Sequence, residues 1–151
     1  MVASTHWYTN AFVNILGGGT EEEDKRIDYL TDDIYIMLCT SSYTPNKDTH
    51  ETKADVTNEV TGSTGYTAGG MALTTKTITP GTGVVNLNAD DPEWADSYIT
   101  AAYAVIYRNE GATDAEKILM GYMDFDGNKT SDGGPFTIQL DASGFLKVTV
   151  N

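Results

Sequence analysis

Four groups of residues have the types and spacing that chemistry would need. Asp124-Phe125-Asp126-Gly127-Asn128 carries side-chain oxygens at alternate positions, like the first half of a calcium loop. The second half does not continue the pattern. Lys129 stands where such a loop needs glycine, and Pro135 where it needs a bidentate glutamate. An Asp-Gly-Asn turn after a strand is the simpler reading. Asp90, Asp91 and Glu93 group carboxylates that would suit acid–base work or a metal. Helix capping accounts for two of them, with Asp91 as N-cap and Pro92 at the first helical position. His50 has Asp48 and Glu51 nearby, yet no serine or cysteine in a nucleophile elbow joins it. Cys39, the single cysteine, rules out an intrachain disulfide and reads as a small buried hydrophobe in the apolar run Ile34–Cys39. No phosphate-binding loop is present, and no carboxylate pair is singled out as a glycosidase's. The expectation is a protein that is not an enzyme, with no essential metal and no cofactor.

The elements that would position such groups read as strands. Ile34 to Cys39 alternates two apolar faces, as a central strand does. Met71 to Ile78 is β-branched, Pro80-Gly81-Thr82-Gly83 is a turn, and Val84 to Leu87 is a short strand after it. The strongest strand runs over 98–107. Tyr98, Thr100, Ala102, Ala104 and Ile106 form one face; Ile99, Ala101, Tyr103, Val105 and Tyr107 form the other. Ile118 to Phe125 is a further strand. Phe136–Leu140 and Phe145–Val150 read as a closing hairpin around Asp141-Ala142-Ser143-Gly144. Residues 6–16 place aromatic and aliphatic side chains at helical spacing, and Gly17-Gly18-Gly19 would stop that helix. Thr20 to Asp24 is an acidic, solvated loop by composition, and Asp55-Val56-Thr57 marks a single helical turn. Asp32-Asp33 is a turn leading into the first strand. The whole predicts an all-β protein, an antiparallel β-sandwich of about seven to nine strands with a short N-terminal helix and long loops.

Length and charge narrow the partners. The 151 residues fit a single domain over 1–151, with no internal repeat and no dividing linker. Hydrophobic residues make up 40% of the chain, enough for a core. Twenty-two acids against nine bases give a formal charge of −13, which repels phosphate backbones and anionic lipid. Nucleic-acid and membrane partners are therefore not expected. No apolar run is long enough to span a bilayer, and no basic n-region precedes an apolar stretch, so the reading is of a chain folded in a cytosol.

Glu59 to Gly70 packs four glycines around one aromatic anchor, Tyr66. Such a loop either holds a special backbone shape or is ordered by a partner. Trp7, Tyr8, Tyr43, Tyr66 and Trp94 lie outside the clearest strands, and Tyr and Trp are favoured at protein interfaces. The expected partner-binding residues are Trp7, Tyr8, Phe12, Tyr43, Gly65, Tyr66, Gly69, Gly70 and Trp94, with 1–19 as a docking segment.

Several of these blocks carry a resemblance when taken in order. They are Trp7-Tyr8, Asp32-Asp33-Ile34, Ser42-Tyr43-Thr44, Gly65-Tyr66-Thr67-Ala68-Gly69-Gly70, Asn88 to Trp94, Ala104-Val105-Ile106-Tyr107, Tyr122 to Phe125 and Gly144-Phe145-Leu146. Together they resemble a family of small tailed-bacteriophage virion structural proteins. The resemblance implies a virion component, made in the bacterial host cytoplasm, with capsid decoration (cement) as its role. The major capsid protein or other virion proteins would be its partners, and a small homo-oligomer fits as well. A tail or fibre module recognising a host surface is the alternative. The resemblance carries over no catalytic residue.

Overall fold

A computed structural model describes residues 3–17 and 26–150. Among them are one helix and ten strands, all antiparallel. In chain order these are β1 (Ser4–Trp7), α1 (Thr9–Ile15), β2 (Ile34–Cys39), β3 (Met71–Ala72), β4 (Thr77–Gly81), β5 (Val84–Asn88), β6 (Glu93–Trp94), β7 (Thr100–Arg108), β8 (Leu119–Thr130), β9 (Phe136–Thr137) and β10 (Leu146–Thr149). They form a five-stranded sheet in the order β1-β8-β7-β2-β3, a three-stranded sheet β10-β5-β4, and the pair β6-β9. The all-β expectation holds, with three of the ten strands only two residues long.

The five-stranded sheet has a core on each face. Ile34, Ile36 and Leu38 of β2 join Ala104 and Ile106 of β7 against Leu87, Leu146, Trp94 and Phe136 of the smaller sheets. On the opposite face Met37, Cys39, Val105 and Tyr107 pack beneath Tyr8 and Tyr43. Both faces of β2 and β7 are covered, which is why both strands are largely apolar, with Thr100 and Arg108 at the ends of β7.

One face assignment changes at a bulge. Two steps along β7, from Ala101 to Tyr103, span five along β8, from Lys129 to Asp124. The odd excess reverses the pleat, so Ile99 and Ala101 join the core face of Ala104 and Ile106 instead of that of Tyr103 and Val105. The bulge is the Asp124–Asn128 segment itself. Asp126 and Gly127 adopt φ of 55° and 101°, and Asp124 Oδ1 accepts the Asp126 N–H at 2.8 Å. Those alternating oxygens therefore sit in a strand bulge, not in a calcium loop.

Four other expectations are corrected. Residues 6–16 are not one helix: Trp7 belongs to β1, and the helix starts at Thr9. Gly18, Gly19 and the acidic stretch 20–24 lie outside the described residues. The Met71–Ile78 strand is split into β3 and β4 by Thr75, whose φ is 51°. Asp91 and Pro92 start no helix; they lead into β6, and Asp91 Oδ1 accepts the Leu140 N–H. The closing hairpin does not form, because β9 pairs with β6 and β10 with β5. The turn near Asp55 is a 3-10 turn over Lys53–Asp55, capped reciprocally by Thr52 and Asp55.

Asp32 does more than turn the chain. Its Oδ2 accepts from Arg108 Nε at 2.9 Å, and Arg108 Nη2 also reaches Glu110 at 2.8 Å. The Arg108 side chain is 6% exposed and that of Asp32 14%. Removing one partner of a buried ion pair leaves an under-solvated charge; here the Asp28 N–H would still donate to Asp32 Oδ2 at 2.8 Å. Arg108→Met is expected to lower stability by about 2–3 kcal/mol in urea unfolding, below the usual range because Glu110 stays wet. A loss below about 0.5 kcal/mol would place the pair with ordinary surface bridges.

Candidate interaction site

The residues expected to bind a partner fall into three separate groups. Tyr8 and Tyr43 are buried, and their hydroxyls share a 2.8 Å hydrogen bond on the second core. Tyr43 Oη continues to His50 Nδ1 at 3.0 Å. Burial pushes the Tyr43 phenol up to about 12 and Tyr8 further, so both stay neutral. His50 thus belongs to a structural tyrosine network, with no nucleophile in it.

The second group is the glycine loop. Tyr66 Oη donates to Glu59 Oε1 at 2.8 Å and accepts the Leu38 N–H at 3.0 Å. Glu59 Oε1 also accepts the Gly69 N–H, and Tyr107 Oη donates to the Gly69 carbonyl at 2.8 Å. Gly70 lies so close to β2 that a Cβ there would be 1.9 Å from the Ile36 carbonyl oxygen. A Cβ on Gly65 would sit 2.8 Å from Ser97 Cα. Trp94 is buried beside Tyr66, with ring centroids 5.9 Å apart. Gly65, Tyr66, Gly69, Gly70 and Trp94 hold the loop against the sheet. Of the two readings the glycines allowed, the loop takes the one with a shape to keep.

The third group stays at the surface. Trp7 and Phe12 are half-buried, with ring centroids 4.9 Å apart. The Trp7 indole N–H donates to the Lys147 carbonyl at 2.9 Å, tying β1 to β10. Trp7 faces Gly121 on β8, and Leu146 fills the room the glycine leaves. Residues 3–17 are therefore not a detachable docking segment. They supply an edge strand, and Tyr8 and Ala11 are fully buried. What they leave open is a groove of about 480 Å³ between β1 and β10, lined by Thr5, Trp7, Met123, Leu140, Phe145 and Lys147 among others. Nothing in the residue pattern signals this groove. Its walls come from three distant stretches of chain that only sheet packing brings together.

Among the described residues no group of three or more His, Cys, Asp or Glu side chains is placed to hold a metal ion. Cys39 is buried, and its thiol is pushed up to about 12 by that burial, so it is no thiolate. No helix among the described residues is long and apolar enough to cross a membrane. No protein-family model, curated protein or solved structure matches the chain. The class that fold and site define is an all-β protein with loops pinned against its sheets.

Proposed function

We propose that this protein is a bacteriophage virion structural protein that decorates the capsid, binding the major capsid protein or its neighbours to stabilise the head shell. The observation that carries the reading is the surface of the N-terminal unit. Val13 in α1 and Leu16 at its C-cap are 40% and 82% exposed. They follow Trp7, which lines the groove, and Phe12, whose ring packs on Trp7; both are half-buried. Apolar side chains grouped on an otherwise acidic surface suit a protein partner. The pinned glycine loop supports a rigid body that need not reorder on docking. The sequence resemblance supports the same role.

Quantitative mass spectrometry of purified particles is the test. The chain is expected at high copy number in fixed proportion to the major capsid protein. A Val13→Asp/Leu16→Asp double variant that keeps its fold should lose shell binding. A few copies per particle, or none, would sink the decoration role.

A further inference from the structure

The groove beside Trp7 adjoins an open strand edge. β3 is an edge of only two residues, β4 carries Pro80, and β10 carries Lys147, all features that discourage strand addition. β1, Ser-Thr-His-Trp over residues 4–7, has neither proline nor lysine and among the described residues pairs with β8 alone, its outward side being met only past its end, where the Thr9 N–H donates to the Lys47 carbonyl. Its register fixes which backbone groups face outward. Tyr8 N–H donates to the Met120 carbonyl at 3.0 Å, so in this antiparallel ladder Ser4, His6 and Tyr8 bond toward β8. Thr5 and Trp7 alternate with them and turn their N–H and C=O groups away. Their side chains line the groove. One short stretch therefore offers both a row of backbone donors and acceptors and a cavity for alternate side chains, the two halves of strand-addition recognition.

Resting on the partner-binding role proposed above, we infer that β1 takes an added strand, an extended segment of another protein with basic flanks. Its backbone pairs with Thr5 and Trp7, and its apolar side chains enter the groove against Trp7, Leu140 and Phe145. Charge selects the flanks and disfavours a second copy of this chain. The protein carries −13, and Asp141 at the groove has a side chain 60% exposed, while the one cation there, Lys147, is turned toward Asp141 and Ser143. Two such chains meeting edge to edge would repel; a lysine-flanked segment is drawn in.

The probe is a synthetic peptide, Lys-Lys-Val-Thr-Val-Thr-Val-Lys-Lys with blocked ends, titrated into the full chain and followed by amide NMR. Shifts confined to Thr5, Trp7, the Trp7 indole and the groove are expected. A glutamate-flanked version and a version N-methylated at alternate residues should each bind at least about tenfold more weakly. Thr5→Pro removes an N–H that β8 does not use, so it should keep the fold and lose binding. If that variant does not fold, Thr5→Lys, which fills the groove and leaves the ladder intact, takes its place. Equal binding by the N-methylated peptide, shifts elsewhere or none, or an unaffected Thr5 variant would overturn the inference. A dimer that Thr5→Pro dissolves would overturn it too, by placing a second copy on β1. Shell binding separates the two proposals. A parent chain that decorates shells as well as its Thr5→Pro variant defeats the strand edge alone. A parent that takes the peptide at β1 but no shell defeats decoration alone.

Discussion

Gly70→Ala is expected to lower unfolding free energy by about 4–5 kcal/mol, although it adds a single methyl group. Gly70 has φ +77°, where an L-residue costs roughly 1–2 kcal/mol. Most of the loss is steric. The new Cβ would lie 1.9 Å from the Ile36 carbonyl oxygen and 2.7 Å from Met37 Cα, which are backbone atoms of a central strand and cannot yield. The loop must lift instead. Lifting breaks the hydrogen bonds that Tyr66, Gly69 and Tyr107 make across it, each contributing about 1 kcal/mol, and exposes apolar surface of Tyr66. Gly62 is the internal control. It too has positive φ, +67°, but a Cβ there meets nothing within 4 Å, so Gly62→Ala should cost only about 1 kcal/mol. Urea unfolding of the two variants decides the matter. Equal losses would mean that the loop is not clamped on β2.

Alkaline pH should unfold this protein cooperatively. Burial raises the phenols of Tyr8, Tyr29, Tyr66 and Tyr107 above their usual value near 10, and Tyr43 to about 12. Cys39 rises from 9.0 to about 12 for the same reason. The direction follows from which state ionises first. Above about pH 10 the unfolded chain releases these protons while the folded chain keeps them, so the unfolded state binds fewer protons and stability falls as pH rises. Below about pH 9 the tyrosines' contribution is complete and flat, while that of Cys39 begins to fall from about pH 8. By pH 11 each tyrosine has withdrawn about 1.4 kcal/mol, roughly 7 kcal/mol for five, comparable with the whole stability of an ordinary domain. Circular dichroism should therefore be lost in step with the tyrosinate absorbance between about pH 10 and 12. A fold that persists while these five tyrosines ionise would show that they are reachable by water.

The tyrosines explain why the candidate site could be read only in part. Tyr8, Tyr43, Tyr66 and Trp94 are of the residue types that interfaces favour, and their positions outside the clear strands look alike in sequence. Packing divides them. The Tyr8 and Tyr43 hydroxyls find each other across 35 residues, and Tyr66 finds the Leu38 N–H and Glu59, so their polar ends are satisfied inside the fold. Trp7 and Phe12 stay half-buried because β1 is at the sheet's edge, which depends on strand order and not on the residues of β1.

Alone, the sequence determined the local structure wherever side-chain period and turn chemistry agreed. The apolar alternation of Ile34–Cys39 and of residues 100–107 sets two covered central strands, and the turn signal at Pro80 to Gly83 marks the β4–β5 connection, narrowed to Thr82-Gly83 because Pro80 and Gly81 pair within β4. Composition settled the acidic charge and the single buried thiol. Tertiary structure decided what rests on long-range pairing. It joined β10 to β5 instead of to β9, reversed the pleat of β7 at the β8 bulge, and drew the glycine loop onto β2. It also left β1 as an open edge above a groove. The physical reason is common to all of these. Periodicity reports which face of a segment is buried, whereas strand neighbours, bulge placement and edges are fixed by contacts between segments far apart in the chain.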